Sequence, residues 1–340
     1  MTATDSEHNY GIDLIKIVSM ICIAMLHILR QGGILGGCRN PSAQLDTAWL
    51  LETGAFCAVN CFALASGYLM VMHRFRISRI ISLWFQVVFY TVLITWIFSK
   101  LHPAMVTAEI WRRAFFPVIT NQYWYFTAYF CMFFFTPVFN AGLCAIGKKE
   151  LLTVLAAAYI LFSVIPAVTG NDLFFTKAGY SVIWLSLMYI CGGAIRRLNA
   201  EQYIHWLPCM FVYAVCMYIT WKHRDLISYT FPLIVLGSAS LFLAFAQIRC
   251  TNRICCTVIR FFVPLAFSVY LIHVHPLIWD TVMNRHFTAW CRLKPPDLVR
   301  HVIGGAVGIW FVCSIIDIPR YLLFHVVTSA VSRLQAVHRH

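Results

Sequence analysis

The sequence predicts an all-α polytopic membrane protein, a single domain built as a bundle of about ten transmembrane helices. Composition is the first reason: of the 340 residues, 61% are hydrophobic and 11% are charged, whereas soluble domains carry about 25% charged residues. The second reason is that the apolar residues fall into runs of about 20, the length that crosses a bilayer core as a helix. Short loops separate the runs, and no soluble insertion or internal repeat is visible.

The apolar runs define the predicted spans, which cover residues 12–30, 48–71, 79–99, 123–141, 151–168, 179–195, 203–220, 228–247, 261–283 and 301–324. An even number of spans places both termini on one side of the membrane. Lys and Arg divide almost evenly between the two sides, but the short basic loops favour cytoplasmic termini. We therefore expect a multi-pass protein of a bacterial inner or plasma membrane. Its first span lacks signal-peptide features and is expected to stay in the protein.

The first span carries three ionisable residues. Asp13 and Lys16 lie near its start on one face, and His27 lies near its end. Ionisable side chains inside a membrane are costly, so by default they mark a functional site. Lys16 and His27 share a helix face and lie about 16 Å apart along the helix axis. The alternative is a lysine that reaches the membrane surface and a histidine that only hydrogen-bonds within the bundle.

Glu52 lies about one turn from the outer end of the second span, at a depth similar to that of His27. A carboxylate beside a histidine orients the imidazole and stabilises its protonated form, which is what a general base needs. We therefore expect Glu52 to contact His27. The alternative is a structural ion pair between Glu52 and either Arg30 or a loop arginine.

A basic turn follows the inner end of the second span. The pair Ser66-Gly67 allows close backbone approach, which is typical of helix packing in membranes. Arg74, Arg76 and Arg79 crowd the next turn, and guanidinium groups match phosphate oxygen atoms well. The sequence leaves open whether these arginines bind phosphate or only set the topology.

Two later spans carry further candidates. At the start of the fourth span, Tyr123 and Trp124 are candidates for a sugar site because sugars stack on aromatic rings, whereas Tyr125 fits an ordinary interface aromatic. The outer half of the ninth span contains Ser268, Tyr270, His273, His275 and Asp280.

His273 and His275 diverge on a helix, so they do not form a helical metal pair. One of them is expected to face a polar cavity, and Pro276 is expected to kink the helix. In the tenth span, Asp317 and Arg320 are expected to form an internal ion pair.

Charge and cysteine content exclude several classes of protein. The net charge is +13, but the 26 basic residues are spread over nearly every loop. Nucleic acid is therefore not implied, and anionic lipid or an anionic ligand is the better partner. The 14 cysteines lie mostly in apolar runs without zinc-type pairing. Only Cys38 and Cys291 share a predicted outer face, where a disulfide is one option. Basic residues of the outer loops fit either an anionic acceptor or plain loop charge: Arg112, Arg113, Arg285, Arg292, Lys294 and Arg300.

Several stretches together resemble the integral-membrane acyltransferase-3 family, whose members O-acetylate polysaccharides and other extracytoplasmic acceptors. They are Lys16-x10-His27, the segment from Cys61 through Ser66-Gly67, the arginines up to Arg79, Tyr123-Trp124-Tyr125-Phe126, and Ser268-Val-Tyr270-Leu-Ile-His273 before Pro276. The stretches occur in the family's order and spacing, and together they cover nearly the whole chain. The chain departs from the family pattern at Lys16, where Arg is commoner, and in the arginine run HRFRISR, which is not Arg-Arg-x-x-Arg. Within the family, the chain most resembles capsule or exopolysaccharide O-acetyltransferases.

The resemblance implies a reaction and a set of roles. Acetyl-CoA or another acyl-CoA would be the donor substrate, with no permanently bound cofactor and no metal. His27, oriented by Glu52, would act as general base on the acceptor hydroxyl, and the sequence leaves open a covalent acetyl-His intermediate instead. Cytosolic acyl-CoA would be bound by Lys16, Ser66, Arg74, Arg76 and Arg79. The acceptor and the oxyanion would be held by Tyr123, Trp124, Tyr270 and His273.

The expected partners are acyl-CoA, a carbohydrate or lipid-linked sugar acceptor and membrane lipids, with homo-oligomerisation left open. Two alternatives belong to other functional classes: a secondary transporter or flippase for a glycolipid, and a binding-only component of a surface-polymer machine. Many transporters show internal repeats and paired broken helices, and neither is visible in this sequence. Acyl-CoA hydrolysis that depends on His27 would separate an enzyme from both.

Overall fold

The computed structural model describes residues 8–337, with side chains as far as residue 324. All regular secondary structure in this part is helical. The α-helices are α1 (Tyr10–Leu29), α2 (Ile34–Gly37), α3 (Ala43–Ala55), α4 (Ala58–Met70), α5 (Ile77–Leu101), α6 (Ala108–Phe115), α7 (Trp124–Phe133), α8 (Thr136–Ala145), α9 (Lys148–Tyr159), α10 (Ile165–Thr169), α11 (Val182–Leu198), α12 (Ala200–Tyr203), α13 (Trp206–Lys222), α14 (Pro232–Ala246), α15 (Arg253–Phe262), α16 (Ala266–His273), α17 (Pro276–Ile278) and α18 (Pro295–Val337).

Each predicted span overlaps helical structure. Between residues 8 and 337, six helical segments are long and apolar enough to cross a membrane, and the α7–α8 pair, bent by 59°, would make a seventh. Helices α11 and α13 have 17 residues each and α14 has 15, fewer than the roughly 20 that a bilayer core requires. The structure therefore fits an all-α polytopic membrane protein, but it does not confirm the number ten.

The ninth predicted span ends at a different place from the one expected. The helical segment runs from Arg253 to His273, whereas the prediction extended to residue 283. The cause is local: Pro276 has no amide hydrogen with which to continue α16, and the His275 side chain accepts a hydrogen bond from the amide of Leu277 at 3.3 Å, which starts α17. The expected kink at Pro276 is confirmed.

Contacts between loops separate them into two ends of the bundle. At one end the amide of Arg285 donates to Gln31 (2.9 Å), and the indole of Trp221 donates to the Asp46 carbonyl (3.0 Å). At the other end Asn9 donates to the Ala246 carbonyl at 2.8 Å. We call these the His27 end and the Lys16 end, after the residue that each end of α1 carries.

Helix α1 is central to the bundle, packing against α3, α4, α14, α16 and α18. Lipid tails are as apolar as leucine, so membrane helices associate through close packing rather than through removal of apolar surface from water. Glycines provide that packing where α4 crosses α11. A Cβ atom on Gly67 would lie 1.9 Å from the Tyr189 carbonyl oxygen, and one on Gly192 would lie 2.0 Å from that of Leu64.

A buried ion pair ties α5 to α18. Arg320 donates to both oxygen atoms of Asp317, at 2.5 and 2.7 Å, and the Tyr90 hydroxyl also donates to Asp317. The predicted pair is thus confirmed. The Arg320 guanidinium and the Tyr90 hydroxyl together provide the hydrogen bonds that a buried Asp317 carboxylate requires in a membrane bundle.

Candidate functional site

A cavity of about 240 Å³ opens beside the His27 end of α1. It lies between α1, the α3–α4 region, α7, α16 and two loops that precede α11 and α14. His27, Arg30 and Glu52 line it together with aromatic side chains. Hydrophobic walls with a few polar groups are the usual make-up of a small-molecule site.

His27 is bound to His273. The Nδ1 atom of His27 lies 2.9 Å from Nε2 of His273, and Nδ1 of His273 lies 2.5 Å from the Val269 carbonyl oxygen one turn back in α16. The Trp279 and His27 rings pack in a T-shaped arrangement, with centroids 5.2 Å apart. The described residues form no other hydrogen bond to the His27 side chain, so Nε2 of His27 is available to a ligand in the cavity.

Glu52 does not contact His27 as the sequence led us to expect. It is fully buried, and Arg30 Nε donates to its Oε1 atom. The Arg30 guanidinium also lies over the rings of Trp49 and Phe56, at 5.8 and 5.4 Å. The reason is geometric: Arg30 extends from the end of α1 into the gap that faces α3. The alternative pairing is therefore the one the structure contains.

Three buried polar atoms at the cavity have no hydrogen-bond partner within the described part of the chain. They are Oε2 of Glu52 and the hydroxyl groups of Tyr125 and Tyr270. An unpartnered buried polar atom is expensive, typically by about 1–3 kcal/mol. Their convergence on one cavity indicates a polar ligand. Tyr125, which the sequence suggested was an interface aromatic, is 7% exposed and belongs to this site.

Aromatic rings form one wall of the cavity. Trp124 lies 4.6 Å from Tyr180 and 6.3 Å from Tyr229 between ring centroids, and Tyr229 stacks on Phe56 at 4.6 Å. Tyr123, in contrast, lies behind this wall: its hydroxyl donates to the Leu271 carbonyl at 2.9 Å, and it is absent from the cavity lining. Trp124 thus lines the cavity and Tyr123 supports α16, while contact of Trp124 with a sugar stays a prediction.

Sequence reasoning missed Tyr180 and Tyr229, the two cavity tyrosines that lie in loops before α11 and α14. The amide of Tyr229 donates to Ala178 at 3.2 Å, and Asn60 receives the Trp184 indole (3.0 Å) while donating to the Tyr229 carbonyl (2.9 Å). These contacts join residues far apart in sequence. The loop tyrosines lie outside any periodic pattern, so only the buried polar Asn60 in an apolar helix offered a signal.

Asp172 holds the loop that presents Tyr180. Its carboxylate accepts the amide and hydroxyl of Thr176, both at 2.8 Å, and the amide of Lys177 at 2.6 Å. Burial opposes the charge, but these hydrogen bonds hold the pKa of Asp172 below its ordinary value. Gly179 follows with φ +103°, and a Cβ there would lie 2.4 Å from Cβ of Tyr229. The loop therefore has a defined conformation.

A stripe of residues continues from the cavity toward the Lys16 end. On α1, Met20, Ile23 and His27 line the cavity, and Lys16 occupies the same face one turn earlier, since the spacing of four, three and four residues follows the helical repeat. The Lys16 ammonium forms no hydrogen bond with the described residues; it interacts electrostatically with Asp13, which His8 contacts at 2.6 Å.

Helices α4 and α7 continue the cavity in the same direction. Phe62 and Tyr125 line it, and Ser66 and Tyr129 lie one turn further along their helices. Ser66 Oγ donates to the Phe62 carbonyl at 3.1 Å. Arg79 interacts electrostatically with Tyr129.

The three arginines of the α4–α5 turn are exposed, and no ion pair to Arg74, Arg76 or Arg79 occurs among the described side chains. They therefore remain available to an anion at the Lys16 end.

The remaining predicted residues lie outside the cavity. Ser268 accepts from Gln86 at 2.6 Å, His275 caps α17, and Asp280 is exposed. Cys38 and Cys291 are free thiols, and burial, with a further contribution from Cys291, raises the pKa of Cys38 to about 11.

Some of the basic loop residues are already paired. Hydrogen bonds from Arg112 and Arg113 lower the pKa of Glu109 to about 2, and Arg300 pairs with Asp297 at 2.9 Å. Arg285, Arg292 and Lys294 have no ion pair in the part of the chain with described side chains. Within the same residues, no group of three or more His, Cys, Asp or Glu side chains could hold a metal.

A family model described as an acyltransferase domain, that of the acyltransferase-3 family, matches residues 9–317. The chain belongs to the acyltransferase-3 family. The match includes every helix that lines the cavity. No curated protein and no solved structure matches the chain. As a member of the acyltransferase-3 family with long apolar helices, the protein is a multi-pass membrane acyltransferase, and the cavity is the candidate for its active site.

Proposed function

We propose that the protein transfers an acetyl or other acyl group from cytosolic acyl-CoA to a hydroxyl of an extracytoplasmic carbohydrate or lipid-linked sugar, with His27 as general base. The observation that carries this proposal is the position of His27: it lines the cavity, one ring nitrogen is bound to His273, and the other is free to reach a ligand. A positioned base of this kind typically contributes about 10²–10⁴-fold to a rate.

The donor would enter from the Lys16 end. Arg74, Arg76 and Arg79 are exposed and unpaired among the described residues, and arginine forks suit the phosphates of CoA. Lys16 and Ser66 would follow along the route, Lys16 contributing a point charge rather than a bidentate fork. The pantetheine arm would then run beside the stripe of α1 to His27, about 16 Å away.

The acceptor would occupy the aromatic part of the cavity. Trp124, with Tyr180 and Tyr229, offers ring faces for a sugar. Oε2 of Glu52 would accept a hydrogen bond from a sugar hydroxyl, a binding role that agrees with its contact to Arg30 better than orientation of His27 does. The hydroxyl groups of Tyr125 and Tyr270, which lack partners, would donate to the oxyanion as it forms.

The chemical step balances with these groups. His27 Nε2 takes the proton of the acceptor hydroxyl while the hydroxyl oxygen forms a bond to the thioester carbonyl carbon. The tetrahedral intermediate collapses with cleavage of the carbon–sulfur bond, and the proton on His27 passes to the leaving CoA sulfur. The products are an ester and CoA.

The charge of the short loops supports a location and an orientation. We place the Lys16 end, with both termini, in the cytoplasm, and the His27 end at the outer face of a bacterial inner or plasma membrane. Glycolipid transport by the same bundle is the rival function, and it predicts no cleavage of acyl-CoA.

The test is acetyl-CoA binding and slow hydrolysis by the purified protein. Substitution of Arg74, Arg76 and Arg79 together by alanine should weaken binding by more than about tenfold, because each charge-assisted hydrogen bond contributes about 1.5–3 kcal/mol. The matched control is Lys148→Ala with Lys149→Ala, which removes positive charge from another loop at the same end and should leave binding unchanged. If the wild type neither binds nor cleaves acetyl-CoA, the proposal is wrong and glycolipid transport becomes the leading function.

A further inference from the structure

The hydrogen bonds of His273 determine where its proton lies. The Val269 carbonyl oxygen, 2.5 Å from Nδ1 of His273, can only accept. Nδ1 of His273 therefore carries a hydrogen and donates it. This contact is fixed by the backbone of α16, because Val269 lies one turn before His273 in the same helix.

Nε2 of His273 is then an acceptor. His273 is 2% exposed, and the carboxylate at the cavity, Glu52, is bound to Arg30. A second proton would make His273 a buried cation without a counter-charge, which is costly. Neutral His273 with its hydrogen on Nδ1 presents a lone pair at Nε2.

His27 must therefore donate across the 2.9 Å contact. Its hydrogen lies on Nδ1, and the lone pair of the neutral ring lies on Nε2, the nitrogen that is free to reach a ligand in the cavity. Without an acceptor at Nδ1, a neutral imidazole distributes its hydrogen between both nitrogen atoms, and the form protonated on Nε2 cannot take a proton there.

We infer that His273 is a positioning residue that holds His27 in the tautomer with a free Nε2, through a chain running from His27 to His273 to the Val269 carbonyl. The inference rests on the proposed function of His27. It replaces the oxyanion role that the sequence suggested for His273, because both of its ring nitrogens are already used. When His27 takes the acceptor proton, its Nδ1 hydrogen stays directed at His273, and no proton moves to His273.

Two substitutions at position 273 separate positioning from mere packing. His273→Gln places a carboxamide oxygen near the former Nε2 and keeps an acceptor for His27. His273→Met has a similar size but no such acceptor. We expect His273→Met to lower kcat for CoA release from acetyl-CoA by about 10²–10⁴-fold, with KM unchanged within about twofold, and His273→Gln to stay within about tenfold of the wild type.

His275→Gln is the matched control, since it alters another buried histidine two residues away that lies outside the cavity. It should leave kcat unchanged. Nitrogen NMR of histidine-labelled wild-type protein gives an independent readout that needs no variant to fold: the His27 signal should show hydrogen on Nδ1 and none on Nε2.

Three results would overturn the inference: hydrogen on Nε2 of His27 in the wild type, a loss in His273→Met smaller than about tenfold, or equal losses in the Met and Gln variants. The two kinetic results leave the proposed function standing if His27→Ala is inactive, whereas hydrogen on Nε2 of His27 would also remove that atom as the base. If His27→Ala itself keeps wild-type CoA release, the proposed function fails instead, whatever the variants at position 273 show.

Discussion

The carboxyl group of Glu52 depends on a single partner. It is fully buried, Arg30 binds one oxygen atom, and the other has no partner in the described structure. Removing Arg30 would leave a buried charge uncompensated, which destabilises a protein far more than removing both members of a pair. The pair therefore matters first for stability and for the shape of the cavity mouth.

Substitutions in this pair test whether Glu52 acts on His27. Glu52→Gln keeps an oxygen that accepts from Arg30, so we expect CoA release within about tenfold of the wild type. Arg30→Ala should lower the free energy of unfolding by about 2 kcal/mol, less than for a wholly buried pair because the Arg30 side chain is 38% exposed. Activity and thermal unfolding in detergent measure these effects. Loss of CoA release in Glu52→Gln as severe as in His27→Ala would show that Glu52 does orient the base.

Single functional residues were predictable from the sequence where an ionisable side chain, which is costly to bury in a membrane, stands within one apolar span. His27 and Glu52 stand out as ionisable groups in apolar runs, and the pair of Asp317 and Arg320 stands out by its spacing. The partner of Glu52 could not be chosen, because Arg30 and His27 both lie near the same helix end. Tyr180 lies in a loop, and nothing local to it indicates a place in the cavity.

At the scale of elements, the loop before α11 shapes the aromatic wall. Asp172 accepts three hydrogen bonds within it, and Gly179 lies against Tyr229 in a conformation that favours glycine. A side chain at Gly179 would meet both an unfavourable φ and the Tyr229 side chain, so the conformation of the loop should be sensitive to added side-chain atoms.

A pair of glycines tests this loop. Gly170 and Gly179 both have positive φ, but a Cβ on Gly170 meets nothing within 4 Å, whereas one on Gly179 meets Tyr229 at 2.4 Å. Gly170→Ala should cost about 1 kcal/mol for the backbone alone. Gly179→Ala should cost about 1–3 kcal/mol more, because the wall must shift. Equal changes in thermal midpoint would mean that the loop is not packed on Tyr229 as described.

Protonation of Asp172 in acid should destabilise the same loop. Because hydrogen bonds hold the pKa of Asp172 below its ordinary value, the ionised form stabilises the loop fully above about pH 4 and loses this effect as pH falls through the lower pKa of the folded state. We expect the protection factors of the Thr176 and Lys177 amides against hydrogen exchange, which correct for the effect of pH on the intrinsic rate, to be insensitive to Asp172 titration near neutral pH and to fall only in stronger acid. A fall of these protection factors with Asp172 titration already near neutral pH would contradict the assignment.

Element positions followed from the sequence because twenty apolar residues in a row are hard to mistake. Their internal breaks did not follow. The second predicted span is divided between α3 and α4 after Ala55, and the ninth ends at His273 because of the cap and proline that follow. Such breaks depend on hydrogen bonds that hydropathy does not measure.

For the whole molecule, donor binding at one end and acceptor binding at the other require two ends of the bundle with different functions. Contacts between segments group them at the His27 end or at the Lys16 end, while the even number of spans stays a prediction. Neither end is identified with the cytoplasm by packing alone, because orientation depends on the charge of the loops during insertion.

Epitope tags test the orientation. We expect tags at the N- and C-termini to be accessible from the cytoplasmic side, and a tag inserted in residues 221–227, at the His27 end, to be accessible from outside. The basic loops at the Lys16 end are the physical reason. Termini on opposite sides would contradict the even number of spans, and termini outside would reverse the proposed donor and acceptor faces.

The most direct test of the central claim compares wild type and His27→Ala in the same detergent preparation, following both acetyl-CoA binding and release of free CoA. The account predicts that the variant binds acetyl-CoA as the wild type does, because the phosphates are held at the Lys16 end, and releases CoA about 10²–10⁴-fold more slowly because the base is gone. Release at the wild-type rate by His27→Ala would contradict the assignment of His27 and, with it, the active site described above.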